Sequence, residues 1–202
     1  MRTIRNLTVA ITVMASIISQ GCNESQKGTS AQQTGGKAEK QTAMNYDIKD
    51  RDAFTLMGIQ TRITAAEEKN PETFNKIWDS FEQYKTILRP ISVEWRYYGV
   101  SFPTNKKDAF DYLAGTPVHS DAKSPDPNLI SRTVPAAKYA VFKCTSFGVA
   151  DQDIGRTYQY IYGEWLPKSR YKLDKNACCF EQYAPREWAN RPIYIYIPIV
   201  PK

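Results

Sequence analysis

The sequence has little histidine and no metal-binding pattern. Its single histidine, His119, lies in a polar stretch of Ser, Asp and Pro residues, and its four cysteines form no C-x-x-C pair. Because zinc sites are built from Cys and His at short spacings, we expect no metal and interpret His119 as a surface residue. A Ser-His-Asp pattern and a glycine-rich phosphate loop are also missing, which argues against the common hydrolases and nucleotide-binding enzymes. We therefore expect no cofactor.

The chain also lacks an apolar run that would span a bilayer comfortably. Its most apolar stretch, residues 7–19, is uncharged and follows Arg2 and Arg5. A basic start, a short apolar run and then small residues are the order of a secretory signal. We expect residues 1–21 to be a signal peptide outside the fold.

The end of this stretch, IISQGC, resembles the lipobox of bacterial lipoproteins, in which the cysteine is acylated and becomes the new N-terminus. The resemblance implies a lipidated Cys22, although Ser19 stands where Leu is usual and Gln20 is bulkier than the common residue. The expected location is the bacterial cell envelope, with the protein anchored to a membrane and facing outside the cytoplasm. Plain secretion and an uncleaved anchor are the alternatives.

A polar segment follows Cys22. Residues 23–45 lack aromatics and are rich in Gln, Gly, Ser, Thr, Ala and Lys. Such a composition cannot bury enough surface to offset the entropy of ordering. We predict that residues 22–50 are the lipidated cysteine and a flexible tether, and that residues 51–202 form one ligand-binding domain.

The charge balance gives little support to a nucleic-acid partner. The formal net charge is +6, two of which come from the arginines of the expected signal, and the remaining basic residues are scattered. A nucleic-acid-binding protein would show a clustered basic face or a recognition motif. An exported protein would not meet DNA, and no helix-turn-helix segment precedes the domain. We therefore expect no nucleic-acid partner.

Three cysteines remain after the expected lipidation site: Cys144, Cys178 and Cys179. Disulfides are allowed outside the cytoplasm, but an odd number leaves at least one thiol unpaired. Adjacent cysteines bond each other only with strain, so a bridge would join Cys144 to Cys178 or Cys179. Three buried free thiols are the alternative.

Two amphipathic helices are predicted. The first follows Asn70, a typical N-cap, with Pro71 at the first helical position and apolar residues at helical spacing up to Leu88. The second follows Asp151 and closes before Pro167. Six segments rich in β-branched and aromatic residues are predicted strands: residues 54–64, 95–103, 110–119, 139–147, 177–184 and 192–200.

These elements follow the order strand, helix, strand, strand twice, at an offset in the low eighties, which indicates an internal duplication. The predicted fold class is α+β: duplicated βαββ units with an antiparallel sheet and two main helices about a pseudo-twofold axis. In the last strand the isoleucines from Ile193 to Ile199 point to the core, whereas Tyr194 and Tyr196 point to the other side.

The residues from Tyr139 to Pro185 resemble the second half of the GyrI-like domain, the effector-binding domain of AraC- and MerR-type regulators. The similar motifs are YAVF, the helix end GEWLPKS and the strand FEQY. The first half agrees in outline through LMGIQTRIT, IWDSF and FDYLAGTPV, which lie between Phe54 and Val118. The resemblance implies a ligand cleft between the halves that binds lipophilic, often cationic, small molecules. A smaller branch of the family hydrolyses strained cyclopropane-containing compounds.

In both branches the acidic residue of the FEQY-type strand serves the site, which implies Glu181 here. Strand geometry places Glu181 on one face with Cys179 and Tyr183, flanked by apolar groups. A carboxylate in such a place needs a cation, hydrogen bonds or a raised pKa. A cationic, aromatic ligand would satisfy it. A structural ion pair with Arg96 or Arg186 is the alternative.

Thirteen tyrosines and four tryptophans can supply the walls of such a site. Besides Glu181, the candidate ligand-binding residues are Trp78, Tyr98, Tyr112, Tyr158, Trp165 and Tyr183. The two tryptophans could equally be ordinary core residues, and Tyr98 and Tyr112 could be sheet surface.

The leading functional hypothesis is an envelope lipoprotein that binds small amphipathic, cationic or aromatic molecules. The alternative is a hydrolase of the cyclopropanoid-cyclohydrolase type, in which Glu181 is the general base. A third hypothesis is protein–protein contact through the tyrosine-rich surface.

Overall fold

The computed structural model describes residues 44–68, 70–106, 108–144, 150–184 and 192–202. Nine strands lie in this part of the chain: β1 Tyr46–Arg51, β2 Phe54–Thr64, β3 Tyr97–Pro103, β4 Ala109–Val118, β5 Ile130–Val134, β6 Ala137–Cys144, β7 Tyr171–Leu173, β8 Cys179–Tyr183 and β9 Ile193–Pro201. The expected signal peptide, Cys22 and Arg186 lie outside the described residues.

The predicted first helix, which the sequence extended to Leu88, is divided by a turn at residues 83 and 84 into α2 and α3. The helices are α1 Ala65–Glu68, α2 Pro71–Glu82, α3 Lys85–Leu88, α4 Ala150–Tyr160 and α5 Leu166–Lys168. The side chain of Asn70 caps α2 by accepting a hydrogen bond from the Glu72 amide, as its position before a proline predicts. A 3-10 turn, Arg89–Ile91, follows α3. Among the described residues, no helix combines the length and apolarity that a bilayer crossing requires.

The predicted second helix is longer than expected. A π-helical segment, Ile161–Trp165, continues α4, and α5 then carries Pro167 in its first turn. The prediction that the helix closes before Pro167 was therefore wrong by two residues.

The strands form an antiparallel sheet with the order β1-β6-β9-β8-β3-β4-β2-β5, and β7 pairs with β9. The two predicted halves are visible in this order, since β2, β3 and β4 occupy one side and β6, β8 and β9 the other. Corresponding strands begin 83, 82 and 84 residues apart: Phe54 and Ala137, Tyr97 and Cys179, Ala109 and Ile193. The fold is therefore the predicted α+β duplication, with β3 and β8 paired at its centre.

The sheet has two apolar faces. The helix face packs against α2 and α4 through residues that include Phe74, Phe81, Ile154, Phe142 and the alternate isoleucines Ile193 to Ile199 of β9. The opposite, inner face carries Leu56, Tyr98, Phe180 and Tyr196. The predicted alternation along β9 is thus confirmed, but Tyr196 is buried in a second apolar cluster and Tyr194 packs at its edge, so neither forms an open surface.

The inner face is covered because the sheet curls on itself. β1 and β2 stand six positions apart in the sheet order, yet residues 52 and 53 alone connect them. Strands in a flat sheet are about 4.8 Å apart, so six steps would span roughly 29 Å. Three Cα steps reach at most about 11 Å. The two ends of the sheet must therefore approach each other.

The strand β1 corrects the predicted domain boundary. Residues 46–50, which the sequence assigned to the flexible tether, pair with β6 from Tyr46 and Phe142 to Arg51 and Ala137. Their exposed side chains gave no burial signal, since an edge strand is held mainly by backbone hydrogen bonds. β5 and β7 were also missed, because they are short.

The three cysteines are free thiols. Cys144 and Cys178 are buried and Cys179 is partly buried, so the proposed bridge from Cys144 is not formed. Cys178 and Cys179 lie on opposite faces of the sheet, as adjacent strand residues must. Burial raises the pKa of each of these two thiols to about 12. Neither is a reactive thiolate at neutral pH.

Candidate functional site

Glu181 lies in the middle of β8, directly opposite Gly99 of β3. It is on the helix face of the sheet, between the two duplicated halves, and only 2% of it is exposed. Cys179 and Tyr183 share this face, as the strand periodicity predicted. The carboxylate is thus at the centre of the fold.

The two oxygens of Glu181 have different surroundings. The hydroxyl of Tyr158, from α4, donates a short hydrogen bond to Oε1. Oε2 is buried and accepts no hydrogen bond from a described residue. A buried acceptor without a partner costs about 1–3 kcal/mol, so Oε2 marks a place where a donor would be stabilising.

Among the residues that the structure describes, no basic side chain forms an ion pair with Glu181. Arg96, one of the two arginines considered for a structural ion pair, instead pairs with Glu94. Arg186, the other, lies outside the described residues. The ion-pair alternative through Arg96 is therefore wrong.

Burial governs the protonation of this site. It raises the pKa of Glu181 to about 7, against the opposing effect of the Tyr158 hydrogen bond. The pKa of Tyr158 is raised well above 10 by burial and by the Glu181 charge, so its hydroxyl remains protonated and able to donate. Near neutral pH, Glu181 is about half ionised and a nearby cation would ionise it fully.

Gly99 makes room for the polar centre of the site. A Cβ at this position would lie 2.0 Å from the Tyr112 hydroxyl and 2.8 Å from Glu181 Oε2. These two distances place the two oxygens no more than 4.8 Å apart. The Tyr112 hydroxyl is buried without a hydrogen bond of good geometry, although Trp78 and Tyr183 lie close enough to lower its pKa. Burial and Glu181 together still raise that pKa well above 10.

Aromatic rings from both halves surround this centre. Trp78 of α2 meets Tyr183 edge to face at 5.1 Å, and Phe74 meets Tyr112 in the same way at 5.0 Å. On the α4 side, the ring of Tyr162 lies parallel to that of Tyr158 at 6.1 Å, and its hydroxyl contacts Cys179. The walls are therefore rigid and apolar, with polar tips.

Tyr162 belongs to the π-helical segment that continues α4. An extra residue per turn changes which side chains face the sheet, and such segments often occur at functional sites. Tyr162 follows Tyr158 by four residues, about one helical turn, and lies on the same side of the helix, as the near-parallel rings show.

The structure brings five of the predicted site residues together: Trp78, Tyr112, Tyr158, Glu181 and Tyr183. Their ligand-binding role stays a prediction, but their proximity is now a geometric fact. Both predicted halves supply side chains to the surroundings of Glu181: Trp78 and Tyr112 come from the first half, and Tyr158 and Tyr183 from the second.

Two predicted site residues lie elsewhere. Tyr98 is on the inner face, where Gln182 and Arg51 donate hydrogen bonds to its hydroxyl. It does not lie beside Glu181, because it precedes Gly99 by one residue and its side chain points to the opposite face of the sheet.

Trp165 packs at 5.1 Å against Phe142 and at 4.9 Å against Tyr46, under the edge strand β1. It is an ordinary core residue, as the alternative interpretation had it. Its position on the same helix as Tyr158 did not bring it to Glu181, because the π-helical segment shifts the helical phase.

Four residues of the site were missed: Phe74, Gly99, Tyr162 and Cys179. Gly99 could have been found, since it lies 82 positions before Glu181 and the strand starts Tyr97 and Cys179 differ by the same offset. Tyr162 could have been found as well, since its spacing of four residues from Tyr158 predicts the same helix face. Among the described residues, no group of three His, Cys, Asp or Glu side chains could hold a metal ion.

Comparisons with solved structures agree on the fold. The integron cassette protein VCH_CASS2 from the mobile metagenome of Vibrio cholerae is 20% identical with a TM-score of 0.55, over 77% of this chain and 95% of that one. A protein called SAV2435, solved with bound tetraphenylphosphonium, is 18% identical with a TM-score of 0.60, over 78% of this chain and 94% of that one. The C-terminal domain of EcmrR is 10% identical with a TM-score of 0.53, over 79% and 99% of the two chains.

The comparison with curated proteins finds no match. The model of one protein family, described as Cass2, integron-associated effector binding protein, matches residues 47–199. This range includes both halves of the duplication and the whole described site around Glu181. The protein therefore belongs to the Cass2 family of integron-associated effector binding proteins and carries a GyrI-like effector-binding domain.

Proposed function

We propose that this protein is an envelope lipoprotein whose GyrI-like domain binds small amphipathic molecules, cationic or aromatic, at Glu181. The observation that carries the binding proposal is the buried Oε2 of Glu181, which accepts no hydrogen bond from a described residue and has no cation of the described residues beside it. Aromatic rings from both halves surround it. A flat, positively charged guest supplies what this acceptor lacks.

The magnitudes favour a cation. The rise of the Glu181 pKa from its ordinary value of 4.5 to about 7 means that ionising it in the free protein costs roughly 3 kcal/mol more than in water. A unit charge at 4 Å contributes about 4 kcal/mol at an effective dielectric constant near 20. Each aromatic face adds about 0.5–2 kcal/mol of cation–π attraction. A bound cation thus offsets the cost of ionisation.

The structure of SAV2435 with tetraphenylphosphonium supports the same ligand class, because that molecule is a lipophilic aromatic cation. The described site is closed, since Tyr112 and Tyr158 have no exposed surface. A guest of this size must separate the aromatic side chains of α2 and α4 to enter. Tyr183 and Tyr162, which are only partly buried, form the accessible rim.

Calorimetric titration of the full-length chain with tetraphenylphosphonium tests this function. We expect saturable binding that Glu181→Gln weakens at least tenfold. Glu164→Gln is the matched control, because Glu164 is a partly exposed acid on the π-helical segment that pairs with Lys168. Absence of binding to the unchanged protein, or equal binding by the Glu181 variant, would refute the proposal.

The envelope location rests on the sequence of residues 1–22, and its test is separate. Mass spectrometry of the mature protein should find an acylated Cys22 at its N-terminus, and cell fractionation should find it with membranes. Cys22→Ser should move it to the soluble fraction. An unmodified Cys22 in a soluble wild-type protein would remove the location and leave the binding proposal standing.

Hydrolysis is the second candidate, favoured by the pKa of Glu181 near 7, which suits a general base at neutral pH. In this reaction the ionised Glu181 takes a proton from water, the water oxygen attacks a strained ring carbon, and the Tyr158 hydroxyl protonates the carbon that leaves. The tyrosinate then regains the proton that Glu181 holds, through the hydrogen bond between them. The net change is addition of one water to the ring bond. Mass spectrometry of a lipophilic cyclopropane incubated with the protein would show a gain of one water, lost in Glu181→Gln.

A further inference from the structure

The centre of the site contains three buried polar atoms of complementary kinds. Glu181 Oε2 is an acceptor, Trp78 Nε1 is a donor and the Tyr112 hydroxyl is both, and none of them forms a hydrogen bond of good geometry with a described residue. Glu181 is 2% exposed and Tyr112 is fully buried. The apolar cluster on the helix face thus encloses three polar atoms that lack hydrogen-bond partners among the described residues.

Two of these atoms are close enough to share one partner. The Tyr112 oxygen and Glu181 Oε2 are no more than 4.8 Å apart, and both lie close to β3 where Gly99 has no side chain. A single donor group between them can reach both at ordinary hydrogen-bond lengths of about 2.7–3.2 Å. Trp78, close enough to lower the pKa of Tyr112, can donate to the same hydroxyl, which leaves one lone pair for the guest and the hydrogen for the carboxylate.

Cations differ in whether they can use this arrangement. A protonated amine carries its charge on N–H groups, so it can donate to both oxygens. A quaternary ammonium or phosphonium ion has its charge covered by carbon and can only be attracted through space. A site with buried hydrogen-bonding groups discriminates strongly against a guest that leaves them unpaired.

We infer that this site selects lipophilic cations that carry N–H donors, protonated amines above all, over quaternary ions of the same size and charge. Glu181 Oε2 and the Tyr112 hydroxyl are the two acceptors, and the absence of a side chain at Gly99 lets both lie close to β3. This inference rests on the proposed binding function and names the ligand class within it.

A matched pair of probes tests the selection. Protonated dibenzylamine and dibenzyldimethylammonium have the same aromatic body and single charge, but only the first has N–H donors. Titrating the full-length chain with each at pH 8, where Glu181 is mainly ionised, should give at least tenfold tighter binding of the amine. In Tyr112→Phe the preference should fall several-fold because one acceptor is lost. Tyr171→Phe, on β7, should keep it.

The possible results distinguish the preference for amines from the proposed binding of cations. Equal affinity for the two probes, or tighter binding of the quaternary ion, overturns the donor selection and leaves cation binding intact. A preference that survives unchanged in a folded Tyr112→Phe variant overturns the assigned acceptor pair. Failure of both probes and of tetraphenylphosphonium to bind overturns the proposed function itself. The comparison of the two probes uses the wild-type protein, so it does not depend on whether a variant folds.

Discussion

Gly99 and Glu181 are cross-strand partners at the junction of the two halves, where β3 pairs with β8. The 82-residue offset between these strands makes them equivalent positions of the duplication as well. One half supplies the carboxylate and the other supplies no side chain. Because of this asymmetry, the centre of the repeated structure contains one carboxylate. Two facing carboxylates would repel each other there.

The stability of the protein should depend on the protonation of Glu181. Its pKa is raised from 4.5 to about 7 on folding, so its contribution is fully present below pH 4.5 and is lost as the pH rises through 7. The loss should be roughly 3 kcal/mol. Urea unfolding at pH 5 and pH 8 should show this difference in the wild type and a much smaller one in Glu181→Gln. The same pH dependence in both proteins would contradict the assignment.

Cation affinity should change with pH in the opposite direction. Tetraphenylphosphonium keeps its charge at all pH values, whereas the ionised fraction of Glu181 rises about tenfold between pH 6 and pH 8 for a pKa near 7. Affinity should therefore increase by up to about tenfold over this range. Fluorescence titration at several pH values measures it, and Glu181→Gln should give a flat profile. A flat wild-type profile would show that the carboxylate does not contact the guest.

Adding one methyl group at Gly99 should disturb both stability and binding. The Cβ of Gly99→Ala would lie 2.0 Å from the Tyr112 hydroxyl, so the tyrosine must move. Such overpacking typically costs about 1–3 kcal/mol. The control is Gly163→Ala, since its Cβ would meet nothing within 4 Å and should leave stability unchanged or raise it slightly. Thermal unfolding measures the stability of both variants. Equal stability of Gly99→Ala and Gly163→Ala would argue against the proposed crowding at Gly99.

Arg51 should contribute to stability by closing the curled sheet. Its guanidinium lies over the rings of Phe54, Tyr98, Phe180 and Tyr196, at 4.6 to 5.7 Å from the ring centroids, and donates to the Tyr98 hydroxyl. Arg51→Met should lower the free energy of unfolding by about 1–3 kcal/mol, since it removes several cation–π contacts and one hydrogen bond.

Lys49→Met is the control for Arg51, because Lys49 lies on the same strand and is exposed beside Asp47. A surface pair of this kind contributes little, about 0–1 kcal/mol. Denaturant unfolding of the two variants should therefore differ clearly. A loss at Arg51 no larger than that at Lys49 would mean that the aromatic cluster holds the sheet ends without it.

Much of the fold could be predicted because its signals are local. The cap at Asn70, the helical spacing after Pro71 and the alternation along β9 each reflect contacts within one element or one face. The duplication followed from the repeated order of elements. Glu181 could be singled out because a charge within an apolar strand is costly wherever that strand lies.

The edge strand β1 and the position of Tyr98 could not be predicted in the same way. Tyr46 and Ile48 of β1 alternate with charged residues over only four positions and stay exposed, and only pairing with β6 makes this segment a strand. Tyr98 looks like a site residue in the sequence, but it is next to Gly99 on β3, so its side chain points to the opposite face of the sheet. Pairing partners and phase depend on distant segments.

The sequence by itself determined the two repeated units, their main helices and the presence of one acid inside an apolar strand, because these depend on neighbours along the chain. Only the tertiary structure decided which rings surround that acid, that Gly99 faces it, and that Trp165 does not. The reason is geometric: a π-helical segment shifts the phase of a helix, and the register of β3 with β8 brings together residues 82 positions apart.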